Sequence, residues 1–355
     1  MRSFNWWLLG PVLVLVGLGL ATLFSVAPHL LVPQTLFFIL GLVIFFWLYQ
    51  TDYRLFRIFG KFAYLSALAL LVALFLFAPR VRGTVRWFDV GGVQIQPSEF
   101  AKPFLILFFA SFLSSLREFS LKNFIFLSFL ILLPIFLVAK QPDLGTAFVL
   151  FTFWLGMILV AGFSLKILLG FLLIVLLLLP QFWGFLQEYQ KIRILTFFNS
   201  SLDPLGAGYN VIQSQIAVGS GRFFGKGLGF GTQSHLKFLP EQHSDFIFAT
   251  LAEEAGFLGS AMLLGAFFIL LFQILVTAQK ASDTFGCLFC VGVALQLLAQ
   301  VFVNIGMSIG LVPITGITLP LVSYGGSSLV STLISLGIVA SVAKRRKPEA
   351  VIDIR

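Results

Sequence analysis

Carboxylates and prolines recur together along this 355-residue chain, each group leading into a long apolar run. The groups are Gln96-Pro97-Ser98-Glu99, Gln141-Pro142-Asp143 and Pro240-Glu241-Gln242-His243-Ser244-Asp245. A fourth lead-in, Pro320-Leu321-Val322-Ser323-Tyr324, has hydroxyls instead of a carboxylate. Proline suits a first helical turn, where its missing N–H is not needed. A carboxylate suits the same turn, because the helix dipole is positive there. Taken singly, each motif is an ordinary helix start. Taken together, they put Glu99, Asp143 and Asp245 at similar depth, just inside the outer boundary of a membrane. Ionisable groups at that depth are costly and mark functional sites. Lys102 follows Glu99 by three residues and shares its helix face. It could neutralise Glu99 or Asp143, and a buried ion pair that locks helices is the structural alternative. Glu253 and Glu254 lie about 12–14 Å further along the helix from Asp245 at 1.5 Å per residue. As neighbours they cannot both face one site; either could pair with Lys102 or line the cavity floor. His243, two residues before Asp245, reads as a proton relay, half a metal site, or a polar capping residue. His29 and His235 read as isolated loop residues.

Carboxylates beside outward-facing arginines suit a lipid-linked phosphosugar. Arginine grips diphosphate oxygens in a bidentate fork, and Arg80, Arg82 and Arg86 lie in the segment before Glu99. A carboxylate could deprotonate a sugar hydroxyl, which then attacks an anomeric carbon whose leaving group is a lipid diphosphate. The donor stores the energy, so one base and cationic stabilisation suffice for single-displacement, inverting transfer without a nucleotide. A divalent cation, Mg or Mn, could share the charge, although the sequence shows no dedicated cage. No HExxH, Walker or strand-to-helix GxGxxG pattern occurs, and the glycines of 206–231 lack P-loop order.

The elements that must hold these residues are membrane helices. Hydrophobic residues make up 59% of the chain and charged residues 10%, against roughly 25% charged in soluble domains. Mean hydropathy is +1.03. Runs long enough to span a bilayer fall near 6–26, 32–49, 61–78, 98–116, 122–139, 144–162, 165–185, 246–276, 285–308 and 322–343. The expected fold is therefore all-α and polytopic: ten transmembrane helices, a long extracytoplasmic loop (186–245) between the seventh and eighth, one domain over 1–343, and a basic cytoplasmic tail over 344–355. No A-x-A-like cleavage site follows the first run, which is expected to act as an uncleaved anchor. Lys and Arg favour the cytoplasmic side, which puts both termini inside. The basic residues of 79–97 and 186–245 break that rule, and an anionic outer ligand would explain them. The net charge of +9 then reports loop basicity, and the scattered pattern excludes nucleic-acid binding. Loop 186–245 is too glycine-rich for a domain of its own; Tyr209–Val218 is expected as a short helix at or dipping into the membrane. Cys287 and Cys290 read as small buried helix residues, and the 44 phenylalanines as lipid-facing bulk.

Four stretches give the chain a resemblance. They are Arg86-Trp87-Phe88 with Gly91–Glu99, Lys140–Thr146, Phe238–Ala249, and Leu319–Ser328. In this order and at these membrane positions they resemble the SEDS family (shape, elongation, division and sporulation). The resemblance covers nearly the whole chain. Gly231-Thr232-Gln233-Ser234 and the short N-terminus are similar to the RodA branch rather than the FtsW branch. Ser244 stands where threonine is more usual and keeps the hydroxyl. The resemblance implies a ten-helix fold in the bacterial cytoplasmic membrane and a peptidoglycan glycosyltransferase active in cell elongation, with lipid II as substrate and a class B penicillin-binding protein as partner. The family's essential aspartate falls on Asp245, expected as the general base. Its outer arginine, Glu–Lys pair and further aspartate fall on Arg86, Glu99, Lys102 and Asp143. With these, Arg82, Glu241, His243 and Ser323 are expected to bind substrate. A lipid II flippase is the alternative, since charges in a membrane cavity could also escort a headgroup. The absence of an evident inverted repeat and the crowding of motifs at the outer face weigh against it. A scaffold with a vestigial site is a third reading, opposed by the retained carboxylates.

Overall fold

The computed structural model describes residues 6–77, 86–91, 93–199, 206–236 and 238–345. Arg80, Arg82, Lys237 and the tail 346–355 lie outside these residues. The expected apolar runs fold as α1 (Trp6–Val26), α2 (Leu31–Gln50), α4 (Gly60–Phe77), α5 (Pro97–Ser115), α6 (Leu121–Lys140), α7 (Leu144–Ala161), α8 (Leu165–Phe182), α12 (Ile247–Gln279), α13 (Thr284–Ile309) and α14 (Gly326–Lys344). Short elements join them: α3 (Arg54–Ile58), α9 (Glu188–Phe198), α10 (Ala207–Ser220) and α11 (Thr232–His235). Among the described residues eight helices are long and apolar enough to cross a membrane, which makes this a multi-pass membrane protein. The long helices α5 and α8 stand outside that set; α8 has a shorter apolar stretch, Leu165–Leu178. Tyr209–Val218 lies within α10, as expected.

The last two helices form the centre of the bundle. Buried residues make up 78% of the apolar window of α13 and 89% of that of α14, against 17% for α2. Small residues let the backbones approach, as membrane helix packing requires. A Cβ on Gly337 would stand 3.0 Å from the Phe45 backbone, and one on Gly41 would strike Leu333 at 2.3 Å. The serines of α14 satisfy their hydroxyls locally: Ser331 donates to the Ser328 carbonyl and Ser335 to the Ser331 carbonyl.

Three features depart from the expected layout. The helix expected over 322–343 begins at Gly326, and Pro320–Tyr324 forms a turn ahead of it. Strands β1 (Phe88–Val90) and β2 (Val93–Ile95) pair antiparallel as a hairpin, with Phe88 opposite Ile95, just ahead of α5. The third departure is a break in α12 at Gly256, with φ 65° and ψ −157°, a conformation open to glycine alone. Segment 222–227 satisfies the backbone groups freed there. Lys226 and Gly227 donate to the Glu253 and Glu254 carbonyls, while Phe257 and Leu258 donate to those of Arg222 and Phe223.

Candidate active site

Asp245 is in the last turn before α12, and two loops hold its backbone. Its N–H donates to the Glu241 carbonyl at 3.1 Å. Its own carbonyl accepts from Asn304 Nδ2 of α13 at 2.8 Å, and the same amide donates to the Ile317 carbonyl at 2.7 Å. The turn before α14 closes over the segment from the other side. Ser323 Oγ donates to the Ser244 carbonyl at 2.6 Å and accepts from the Leu319 N–H at 2.8 Å. Tyr324 N–H donates to the His243 carbonyl at 2.9 Å. Glu241 and Leu321 have φ of 48° and 67°, left-handed values uncommon for such residues. Strain of this kind persists only where surrounding contacts over-determine it, and the cross-links between 241–245 and 319–324 supply those contacts.

The Asp245 carboxyl is pushed up from 3.8 to about 6. Burial is the main cause, and the Glu241 charge adds to it; Arg193 and Arg86 pull the other way, and Asp143 raises it slightly. One carboxyl thus sits in the fields of two guanidinium groups from different parts of the chain. Arg86 arrives from the foot of the hairpin, and its guanidinium donates to the carbonyls of Gln141 and Pro142 at the C-terminal end of α6. Arg193 arrives from α9 and reaches the Ile314 carbonyl at 3.5 Å. Burial lowers the His243 imidazole below its ordinary value, against the pull of Glu241, whose carboxylate is 3.8 Å away. His243 is therefore mainly neutral at pH 7.

The other expected carboxylates have partners of their own. Asp143 caps α7, accepting from Thr146 N–H at 3.1 Å and Thr146 Oγ1 at 3.0 Å. Gln96 Nε2 reaches the same carboxylate at 3.4 Å and the Ser98 hydroxyl at 3.1 Å, while its N–H donates to Ser327 Oγ. Gln96 thus ties the starts of α5, α7 and α14 together. Lys102 pairs with Glu99 at 2.7 Å, and both are buried. That answers which carboxylate the lysine neutralises: it is Glu99.

Glu253 and Glu254 join neither Lys102 nor Asp245. Glu253 accepts from Lys226 Nζ, the Gln233 and Ser234 N–H groups and the Ser234 hydroxyl, all within 3.0 Å. Glu254 accepts from Ser25, from Gly229 N–H at 3.2 Å, and meets His235 Nε2 at 3.1 Å. His235 is therefore a partnered residue, and both glutamates secure the glycine-rich segment to α12. The reason is directional: the break at Gly256 brings 222–235 alongside this turn, so that a Cβ on Gly225 would strike the Glu254 carbonyl oxygen. Lys226 accordingly answers an internal carboxylate, as Lys191 answers Glu188 at 2.8 Å. Among the described residues no cluster of three or more His, Cys, Asp or Glu could hold a metal ion.

Residues 4–348 match the family model of the FtsW, RodA and SpoVE cell cycle proteins. The chain belongs to this family. It is 42% identical over 310 residues to the peptidoglycan glycosyltransferase MrdB of Escherichia coli, covering 87% of this chain and 84% of that protein. It is 32% identical to the peptidoglycan glycosyltransferase RodA of Treponema pallidum over 98% of this chain and 99% of that one. Among solved structures, a chain described under coordination of polymerization and crosslinking by a peptidoglycan synthase complex superposes with TM-score 0.84 at 33% identity, covering 98% of this chain and all of that one. The rod shape determining protein RodA of Thermus thermophilus superposes with TM-score 0.74 at 31% identity, over 98% of this chain and 99% of that one.

The geometry adds three residues to the site. Asn304, Gln96 and Arg193 were not singled out as site residues from sequence. A lone asparagine inside an apolar run and an arginine in an outer segment were the available signals for Asn304 and Arg193. Gln96 stood within a motif but carries no charge to draw attention.

Proposed function

We infer that this peptidoglycan glycosyltransferase polymerises lipid II at the outer face of the bacterial cytoplasmic membrane during cell elongation, with Asp245 as general base. The observation that carries the reading is the raised Asp245 carboxyl within the fields of Arg193 and Arg86, in a chain whose relatives are peptidoglycan glycosyltransferases. A base is most effective when its proton affinity lies near the working pH. At about 6, Asp245 is mostly ionised at neutral pH yet more basic than an exposed aspartate. The acceptor sugar's hydroxyl gives its proton to the Asp245 carboxylate, and its oxygen bonds to the anomeric carbon of the donor. The bond from that carbon to the diphosphate breaks on the opposite side, inverting the centre. Arg86 and Arg193 take up the leaving diphosphate's charge; Arg82, outside the described residues, is expected to bind substrate as well. A divalent cation such as Mg or Mn could share that charge.

Glu241, His243 and Asp143 shape the acceptor side, and Ser323 keeps the Asp245 loop in register. Glu99 and Lys102 form a buried ion pair in the first turns of α5, which holds the start of that helix. Ten helices, α8 and α5 included, cross the membrane with both termini inside and residues 186–245 outside; the loop charges and the clustering of α5, α7, α12 and α14 starts at one end support this. A class B penicillin-binding protein is the expected partner; the similarity to a chain of a peptidoglycan synthase complex that coordinates polymerization and crosslinking supports that assignment. The experiment is incubation of the purified, reconstituted protein and its penicillin-binding partner with lipid II. Glycan strands resolved by gel are expected; translocation of lipid II with no strands would favour a flippase.

A further inference from the structure

At the far end of α5 from Glu99 there is a second concave site. A cavity of about 270 Å³ is lined by Arg57, Ile58, Lys61, Phe108, Ser111 and Phe112, with Ser115 at its edge. Glu99 and Ser115 are separated by 16 residues of one helix, about 24 Å at 1.5 Å per residue. A bilayer's hydrocarbon core is about 30 Å thick, so this cavity belongs to the opposite membrane face. It is built by a close crossing. Gly60, at the junction of α3 and α4, packs so tightly on α5 that a Cβ there would stand 2.7 Å from Ser111 Cβ. Ser111 Oγ donates to the Arg57 carbonyl at 2.8 Å, which fixes the junction on the helix. Both cationic side chains are thereby held over the last turns of α5 and exposed.

Among the described residues, neither cation is neutralised. Arg54 pairs with Asp283, and Arg345 with Asp52, but among the described residues Arg57 and Lys61 make no ion pair or side-chain hydrogen bond. The hydroxyls of Ser111 and Ser115 are spent on backbone carbonyls. The anion donors of the cavity are thus one guanidinium and one ammonium. Its walls are apolar: Phe108 is buried, while the neighbouring Ile58, Phe59 and Phe62 are exposed at 73%, 55% and 67%. Positive charge above an apolar wall, open towards the hydrocarbon, matches a phosphate carrying acyl chains. Basic pockets between helices on the cytoplasmic side take anionic lipid headgroups for this reason.

We propose that Arg57 and Lys61, seated over the inner end of α5, form a binding site for an anionic phospholipid of the inner leaflet. The guanidinium and ammonium hold the phosphate, and its acyl chains lie along Phe112 and Ile58. The site rests only on the membrane reading, not on the glycosyltransferase assignment. Each basic group near a membrane surface contributes about 1 kcal/mol to anionic lipid binding, so losing both weakens binding about 30-fold.

The test is native mass spectrometry of the detergent-purified full chain titrated with phosphatidylglycerol or phosphatidylcholine, for wild type and for the Arg57→Gln/Lys61→Gln variant. Wild type is expected to retain phosphatidylglycerol in preference to phosphatidylcholine, and the variant to lose that preference while keeping its thermal unfolding midpoint. A separate Ser115→Trp variant, which narrows the cavity and keeps both charges and the Ser111–Arg57 contact, is expected to lose it as well. Equal retention of the two lipids by wild type, or an unchanged preference in both variants, would overturn the proposal. So would displacement of the lipid by millimolar inorganic phosphate, which would make the site one for the free anion.

Discussion

Asp245 makes the pH dependence of polymerisation a direct readout of the site. A base must be deprotonated to act, so the rate follows the ionised fraction. With the carboxyl at about 6, about one-tenth of molecules are active at pH 5 and about nine-tenths at pH 7, and log kcat/KM rises with unit slope below pH 6. An ordinary aspartate at 3.8 would already be near its plateau at pH 5. The neighbours give the sign of two further shifts. Glu241→Gln removes a charge that raises Asp245, and its acid limb moves to lower pH. Arg193→Gln removes the leading cation that lowers it, and the limb moves to higher pH. Acid unfolding does not mimic this limb through Asp245. A carboxyl raised on folding adds stability below pH 3.8 and loses it as pH rises through about 6. The assay is initial-rate lipid II polymerisation between pH 4.5 and 8 at subsaturating substrate, with the partner present. A plateau extending down to pH 5 in wild type, or the same limb in Glu241→Gln and Arg193→Gln, would refute the reasoning.

Three other perturbations separate structure from chemistry. Lys102→Met leaves the buried Glu99 carboxylate uncompensated, at a cost of about 3–5 kcal/mol; Glu99→Gln/Lys102→Met is expected to recover most of the thermal midpoint, read by tryptophan fluorescence, without recovering full activity. Ser323→Ala orphans the Ser244 carbonyl and the Leu319 N–H, costing about 1–3 kcal/mol and lowering kcat more than protein yield. Gly256→Ala would strike the Gly225 nitrogen at 2.2 Å in a backbone conformation reserved for glycine; reduced protease resistance of segment 222–235 is the expected readout.

Much of this architecture is legible in sequence, and the gaps have physical causes. Membrane helices announce themselves because their solvent demands uninterrupted apolar length, so α1, α6, α12 and α13 fall close to the expected runs. The start of α14 was misplaced by four residues because Pro320 and Ser323 are helix-start residue types; here Ser323 turns its hydroxyl to another loop instead. By its motif Asp143 is both a helix start and a site carboxylate, and in the structure it is the cap of α7, with its charge felt by Asp245. The partners of Glu253 and Glu254 are not legible in sequence, because most lie 19 to 27 residues earlier in the glycine-rich segment and Ser25 lies 229 residues earlier in α1. No periodicity reports such a return of the chain. The hairpin at 88–95 was hidden for a similar reason: two three-residue strands are too short to show alternation.

The most direct measurement is lipid II polymerisation by the purified protein with its penicillin-binding partner, comparing wild type with Asp245→Asn at matched folding and complex formation. The account predicts glycan strands from wild type and a loss of at least about 100-fold from the variant, the usual scale for a general base. Equal strand synthesis by the two proteins would contradict it and move the proton transfer to another group.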